Sequence, residues 1–324
     1  MPKIACNAKN CHALRFHPRQ NQLNKYDASV IPKKPGREAF IVNTGYVRKV
    51  MDIMAAKKKV ASPAMSAGTR EFVKLQEAKI EVQKRGNSGK PLLLLHSEDN
   101  YETTRPFIDE LAKKYRLFMP RMPGFGRSTL PDSVMTIDDM SYLYLDLLDH
   151  YKLTDVIVIG FSVGAWLAAE MATKNCARLS KLVLVNPLGV KIGGKYDRDI
   201  EDIYYLPFDT VKKLKFHDPD KDPRVLTEMS DREAYLLARH RESTARLCWK
   251  PYFHNLTLKN RLNRISAKTM MVWGANDGLA KTSYGRAYAK LIPGSKFVSI
   301  PKAGHFPHIE QPDAFMKEVR AFLR

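Results

Sequence analysis

The 324-residue chain contains no run of about eighteen or more apolar residues, and its first residues lack the roughly 7–15-residue apolar stretch of a secretory signal. Neither a membrane-spanning helix nor Sec export is therefore indicated, and a soluble, cytoplasmic protein is the expectation. Cysteine is scarce: Cys6, Cys11, Cys176 and Cys248 are scattered, form no disulfide framework and fit a reducing compartment. Cys6, Cys11 and His12 hint at a metal knuckle, but no second ligand pair follows, so no metal site is expected. Internal repeats are absent as well.

Acidic residues are few at the start. Up to residue 69 the chain has thirteen basic residues against Asp27, Glu38 and Asp52, which is half of the formal charge of +20. A basic tail can bind polyanions, yet this one lacks interleaved aromatics for base stacking and matches no nucleic-acid-binding motif, so no specific nucleic-acid partner is expected. Residues 1–64 mix Lys, Asn and Pro with little sustained apolar periodicity and read as a basic, disordered extension. An organellar transit peptide is opposed by scarce Ser and by the Pro residues, and a start site near Met65 is a further explanation.

Beyond that point the chain has ample material for a core. Around Phe72, Val73 and Leu75, then Ile80 and Val82, alternation predicts a hairpin, whereas Pro91–Leu95 is a continuous apolar run of the kind found in strands buried on both faces. A helix is expected over Thr103–Tyr115, a strand over Arg116–Pro120 and a helix over Ile137–Tyr151. Another helix is expected over Trp166–Ala177 and another buried strand over Lys181–Asn186. Strands alternating with helices imply a mostly parallel sheet covered on both faces. Residues 190–262 interrupt the rhythm with a long, charged, helical pattern that includes Ser230–Trp249, and read as an inserted lid. The sheet resumes with Thr269–Trp273 and Lys296–Ile300. The expected organisation is thus core over 65–189 and 263–324, with the lid between.

The stretch that points to chemistry runs from Asp155 to Glu170. Its β-branched apolar run stops at Gly160-Phe161-Ser162-Val163-Gly164 and leads at once into an Ala-rich helical pattern. By composition alone such a Gly-x-Ser-x-Gly match arises in roughly one chain in ten of this length. Strand before and helix after lift it, because a sharp strand-to-helix turn exposes its central serine. A serine hydroxyl needs a base to take its proton and an acid to orient that base. Asp277 stands just past the strand ending at Trp273, and His305 just past the next strand. Asp277 could equally cap the helix that follows.

Together with Leu92-Leu-Leu-Leu-His96, Pro123-Gly-Phe-Gly-Arg-Ser128, Gly274-Ala-Asn-Asp277 and Gly304-His305-Phe-Pro-His-Ile-Glu-Gln-Pro312, the elbow gives the segment from Glu71 to Arg324 a resemblance to lid-bearing serine hydrolases of the α/β-hydrolase fold. The resemblance implies Ser162 as nucleophile, His305 as base and Asp277 as acid. It also implies an oxyanion hole of the Val163 N–H and a second N–H from the loop after His96. There Ser97 replaces the usual Gly, leaving Glu98 as first choice and Ser97 as alternative. An acidic Glu98 side chain facing the pocket would repel anionic substrates. Asn186, at the other familiar site of the acid, cannot supply the charge. His308 and His96 read as structural.

Phe161, Phe306, Trp249 and Tyr252 are candidate substrate contacts, with lid packing an equal alternative for the last two. A small-molecule ester or related acyl compound is the expected substrate, without metal or organic cofactor. Two other classes stay open. A carbon–carbon bond hydrolase of ring-cleavage products would use the same triad, although Phe306 stands where that group usually has Trp, and Arg239, Arg241 and Arg246 are its candidate carboxylate partners. A non-catalytic binding protein on the same fold is the third. Deleting residues 1–64 is expected to leave melting temperature and activity unchanged; a loss of several degrees would mean that the segment packs on the core.

Overall fold

The computed structural model describes residues 68–102 and 105–324. Its centre is one eight-stranded sheet in the order β1-β2-β4-β3-β5-β6-β7-β8. The strands are β1 (Thr69–Leu75), β2 (Ala78–Arg85), β3 (Pro91–Leu95), β4 (Arg116–Pro120), β5 (Val156–Phe161), β6 (Leu179–Val185), β7 (Lys268–Gly274) and β8 (Lys296–Ile300). The hairpin β1–β2 and the β2–β4 pairing are antiparallel, and all other pairs are parallel.

Alternation along the central strands divides the core into two layers. Leu93, Leu95, Val156 and Val158 face α2 (Ile137–His150) and α3 (Val163–Lys174), together with lid residues such as Leu247 and Phe253. Leu92, Leu94, Ile157 and Ile159 face α1 (Phe107–Ala112) and α8 (Pro312–Leu323), where Phe107, Phe315 and Val319 complete the layer. Both sides of each strand are therefore apolar, which is why these strands read as unbroken hydrophobic runs. Each fully buried Leu or Ile contributes about 1.5–3 kcal/mol relative to exposure.

Two helices begin where the local sequence provides a capping box. Thr136 Oγ1 accepts from Asp139 N at 3.0 Å while Asp139 Oδ2 accepts from Thr136 N at 2.9 Å, starting α2. Ser230 and Glu233 repeat the arrangement at the start of α5 (Asp231–Cys248). Elsewhere boundaries differ from expectation. Helix α1 is shorter than the predicted Thr103–Tyr115: Pro106 stands at its start and disfavours helical backbone at Arg105, and Thr103 and Thr104 lie outside the described residues. Helix α3 starts three residues earlier than predicted, directly after Ser162, and stops before Asn175, whose φ of −144° and ψ of 77° are not helical.

Between β6 and β7 the chain forms α4 (Phe208–Lys215), α5 and several 3₁₀ turns, and no strand among the described residues of 190–262. After β7 come α6 (Thr282–Lys290) and, past β8, the one-turn α7 (Pro307–Glu310). Cys6, Cys11 and His12, and the basic extension 1–64, lie outside the described residues.

The ends of β7 and β8 approach each other so closely that only glycine fits. A Cβ on Gly274 would stand 1.7 Å from the carbonyl oxygen of Gly304. Replacing Gly274 by Ala is expected to cost about 3 kcal/mol or more, because backbone rather than a side chain would have to move. In thermal unfolding that is a drop of roughly 6 °C or more; an unchanged melting temperature would contradict the contact.

Candidate active site

Ser162 follows the last residue of β5 and precedes the first residue of α3, with φ 50° and ψ −113°. This backbone region costs about 1–3 kcal/mol and persists only where neighbours enforce it. Ser162 N donates to Val185 O at 2.8 Å, tying the turn to β6, and Trp166 N donates to Ser162 O at 3.0 Å, starting the helix. The flanking glycines have steric reasons. A Cβ at Gly160 would lie 2.5 Å from Gly164 O, and one at Gly164 would lie 2.4 Å from the carbonyl oxygens of Leu95 and His96.

His305 comes from the loop after β8. Its N–H donates to Lys215 O at 2.7 Å, and Gly304 N donates to Glu310 Oε2 at 2.6 Å, so α4 and α7 hold the loop from both sides. Across the ring, Nδ1 lies 2.7 Å from Asp277 Oδ2 and Nε2 lies 2.8 Å from Ser162 Oγ. A carboxylate can only accept, so Nδ1 carries the proton and Nε2 is left to accept from the serine hydroxyl. Three residues from three strand ends thus form one chain of hydrogen bonds.

Asp277 binds the turn before α6 rather than capping that helix, whose N-cap is Lys281. Its Oδ1 accepts from Leu279 N at 2.9 Å and Ala280 N at 3.2 Å, holding the turn, while Oδ2 faces His305 and also accepts from Asn186 Nδ2 at 2.6 Å. Asn186, which could not be the acid, is a donor to it. Burial pushes the His305 pKa down, but the Asp277 charge and hydrogen bond and the nearby Glu98 charge more than offset it, and the result lies above the ordinary 6.5.

The loop after His96 resolves which backbone group is free. Ser97 N donates to Glu102 Oε2 at 3.0 Å, so it is occupied. Glu98 N and Val163 N make no hydrogen bond among the described residues. His96 shapes this loop: Nδ1 donates to Ser97 O at 2.7 Å and Nε2 accepts from Met122 N at 2.9 Å. Its pKa is pushed down to about 3 by burial and then by Arg121. His308 is buried among Phe107, Phe161 and Phe315 and is 3.4 Å from Glu102 Oε1.

The four aromatic candidates are placed differently from one another. Phe161 turns toward the layer of α1 and α8 and packs on Phe107, Phe315 and His308, while Phe306 packs on Tyr101 and Phe216; packing accounts for both rings. Tyr252 is tied into the lid, its hydroxyl accepting from Ile203 N at 2.8 Å and donating to Glu201 O at 3.0 Å. Trp249 leans edge-on to Tyr204 and Tyr252 and is 54% exposed. Ser162 and His305 are each only 1% exposed.

Sequence reasoning missed one feature beside the triad: a buried ionic chain. Lys215 Nζ, at the end of α4, lies 2.7 Å from Glu98 Oε1 and 2.5 Å from Asp99 Oδ2; Arg224 lies 2.9 Å from Asp99 Oδ1, and Tyr101 OH donates to Asp222 Oδ1 at 2.7 Å. Burial raises the Asp99 pKa, yet Arg224 and Lys215 together hold it well below its ordinary 3.8.

The fold and the site define an α/β hydrolase. The sequence pattern of the Alpha/beta hydrolase family matches residues 92–318, and the chain belongs to that family of hydrolytic enzymes. It is 26% identical to a pimeloyl-[acyl-carrier protein] methyl ester esterase of Pectobacterium carotovorum over 259 residues, 75% of this chain and 97% of that one. It is equally 26% identical to a 2-hydroxy-6-oxononadienedioate/2-hydroxy-6-oxononatrienedioate hydrolase of Cupriavidus pinatubonensis over 289 residues, 79% of this chain and 96% of that one. Among solved structures, a membrane phospholipase A matches with a TM-score of 0.67 at 20% identity, covering 86% of this chain and 89% of that one, which shows the shared fold. No helix among the described residues is long and apolar enough to cross a membrane.

Lys215→Met would leave the Glu98 carboxylate without a cation and Asp99 with Arg224 alone. A cost of about 3–5 kcal/mol is expected in denaturant unfolding at pH 7. The sign with pH follows from Asp99: a depressed folded pKa stabilises above the ordinary 3.8 and is lost as pH falls through the folded value. The gap between wild type and variant should therefore shrink below about pH 4; a gap independent of pH would contradict the ionic account.

Proposed function

We propose that this protein is a serine hydrolase that cleaves a small ester or related acyl compound through an acyl-enzyme. The observation that carries the reading is the unbroken relay from Ser162 Oγ through His305 to Asp277. His305 Nε2 takes the serine proton as Oγ attacks the acyl carbon, and the oxyanion that forms is stabilised by Val163 N–H and Glu98 N–H. His305 then gives the proton to the leaving alkoxide. Water, deprotonated by the same nitrogen, releases the acid and restores the serine. Asp277 holds the imidazole in the required tautomer and stabilises its cation. The lid, residues 190–262, walls the pocket and selects the substrate, with Trp249 and Tyr252 as its candidate pocket aromatics.

The second reading, carbon–carbon hydrolysis, draws support from the Cupriavidus relative. The lid arginines weigh against it. Arg239 donates to the carbonyls of Gly126 and Ser128, Arg246 pairs at the surface with Asp132, and Arg241 donates to Ile203 O while stacking on Tyr204. An assembled, buried triad weighs equally against a purely binding role.

A fluorophosphonate probe is expected to label Ser162, and Ser162→Ala should lose several orders of magnitude in p-nitrophenyl ester turnover while keeping its melting temperature. A folded protein that ignores the probe and every ester would overturn the catalytic reading. The pH profile adds a second check. Catalysis needs neutral His305, and its pKa is raised by Asp277 and Glu98 against the opposing Lys215 charge. The acid limb of kcat/KM is therefore expected above pH 6.5, and a limb at or below that value would contradict the assigned base.

A further inference from the structure

Glu98 has an unusual place, because the residue whose backbone N–H is assigned to the oxyanion also carries a carboxylate into the interior. Its Oε1 is bound by Lys215, but its Oε2 is buried without a hydrogen-bond partner among the described residues. A buried carboxylate oxygen left unpaired costs about 1–3 kcal/mol or more, so such an atom calls for an explanation. Its surroundings locate it. Lys215 holds Glu98 Oε1 at 2.7 Å with its ammonium group and accepts from His305 N at 2.7 Å with its carbonyl, so one residue joins the carboxylate to the loop of the triad histidine. The ionic chain to which it belongs has three carboxylates, Glu98, Asp99 and Asp222, against two cations, Lys215 and Arg224. It thus has one carboxylate more than it has cations, and among the described residues Glu98 is held by Lys215 alone.

We propose that Glu98 Oε2 is a substrate-recognition point that accepts a hydrogen bond from an ammonium group on the acyl part of the substrate, so that the enzyme selects cationic acyl esters and rejects anionic ones. The proposal rests on the serine-hydrolase reading and names the substrate class of that site. A carboxylate side chain extends only a few bonds from its own N–H, so an ammonium group a short chain from the acyl carbon reaches Oε2 while the carbonyl oxygen occupies the oxyanion hole. The substrate cation then neutralises the surplus charge and satisfies the orphaned acceptor together. Lys215 stays on Oε1 and keeps the carboxylate oriented.

The test compares matched p-nitrophenyl esters on the full chain at pH 7: 3-aminopropanoate and 6-aminohexanoate against propanoate and hexanoate, with hydrogen succinate as the anionic member. Wild type is expected to show kcat/KM about tenfold or more higher for at least one aminoacyl ester than for its neutral counterpart, and about tenfold lower for the succinate. Glu98→Gln should bring these ratios close to one, whatever its effect on absolute rate, and its melting temperature reports whether it folds. The wild-type ratios stand even if it does not. Turnover of neutral esters with ratios near one in wild type would overturn the proposal while leaving the serine hydrolase intact. A preference that persists in folded Glu98→Gln would overturn it as well. Absence of any turnover together with unlabelled Ser162 would mean that the underlying reading has failed, and the proposal with it.

Discussion

Everything in this structure depends on one buried imidazole held between two partners. His305 spans 2.7 Å to Asp277 and 2.8 Å to Ser162, and each of the three residues comes from the carboxyl end of a different strand. A parallel sheet is what lets this happen, because neighbouring strands deliver their following loops to the same edge. The constraint propagates outward through backbone contacts. Gly160 and Gly164 let the elbow turn against β3, Gly274 lets the His305 loop lie on β7, and Glu310 pins that loop through Gly304.

The layer above the strand ends is as much electrostatic as apolar. Lys215 is central to it, since its carbonyl holds His305 N while its ammonium group ties Glu98 and Asp99. The same residue therefore links α4, the loop after β3 and the loop that carries His305. Against the effect of burial, the Asp277 and Glu98 charges both favour the imidazolium form of His305.

Much of this was legible in the sequence, for physical reasons. Strands β3, β5 and β6 are apolar on both faces, so they appear as runs such as Leu92–Leu95 that need no partner to be recognised. The elbow was legible because glycines are needed on both sides of Ser162, and Asp277 and His305 stood out as candidates because each lies a few residues past a strand. What stayed hidden depends on contacts between distant residues. Lys215 meets Glu98 from 117 positions away, in a charged helix whose local pattern resembles a solvated face. Asn186 could be dismissed as an acid, but its role as donor to Asp277 follows only from the pairing of β6 with β7. Phe161 was a candidate substrate contact, and strand alternation sends its ring into the layer of α1 and α8. Pro106 shortened α1 in a way its apolar spacing could not show.

The central claim is that the relay on His305 makes Ser162 a nucleophile that carries the acyl group. Stopped-flow mixing with a p-nitrophenyl ester that deacylates slowly, followed by acid quench and peptide mass mapping, tests it most directly. The account predicts a rapid release of about one equivalent of p-nitrophenol per enzyme and the matching acyl mass on the peptide containing Ser162. Steady turnover with no burst and no acyl adduct under conditions that trap one, or an adduct on another residue, would contradict it.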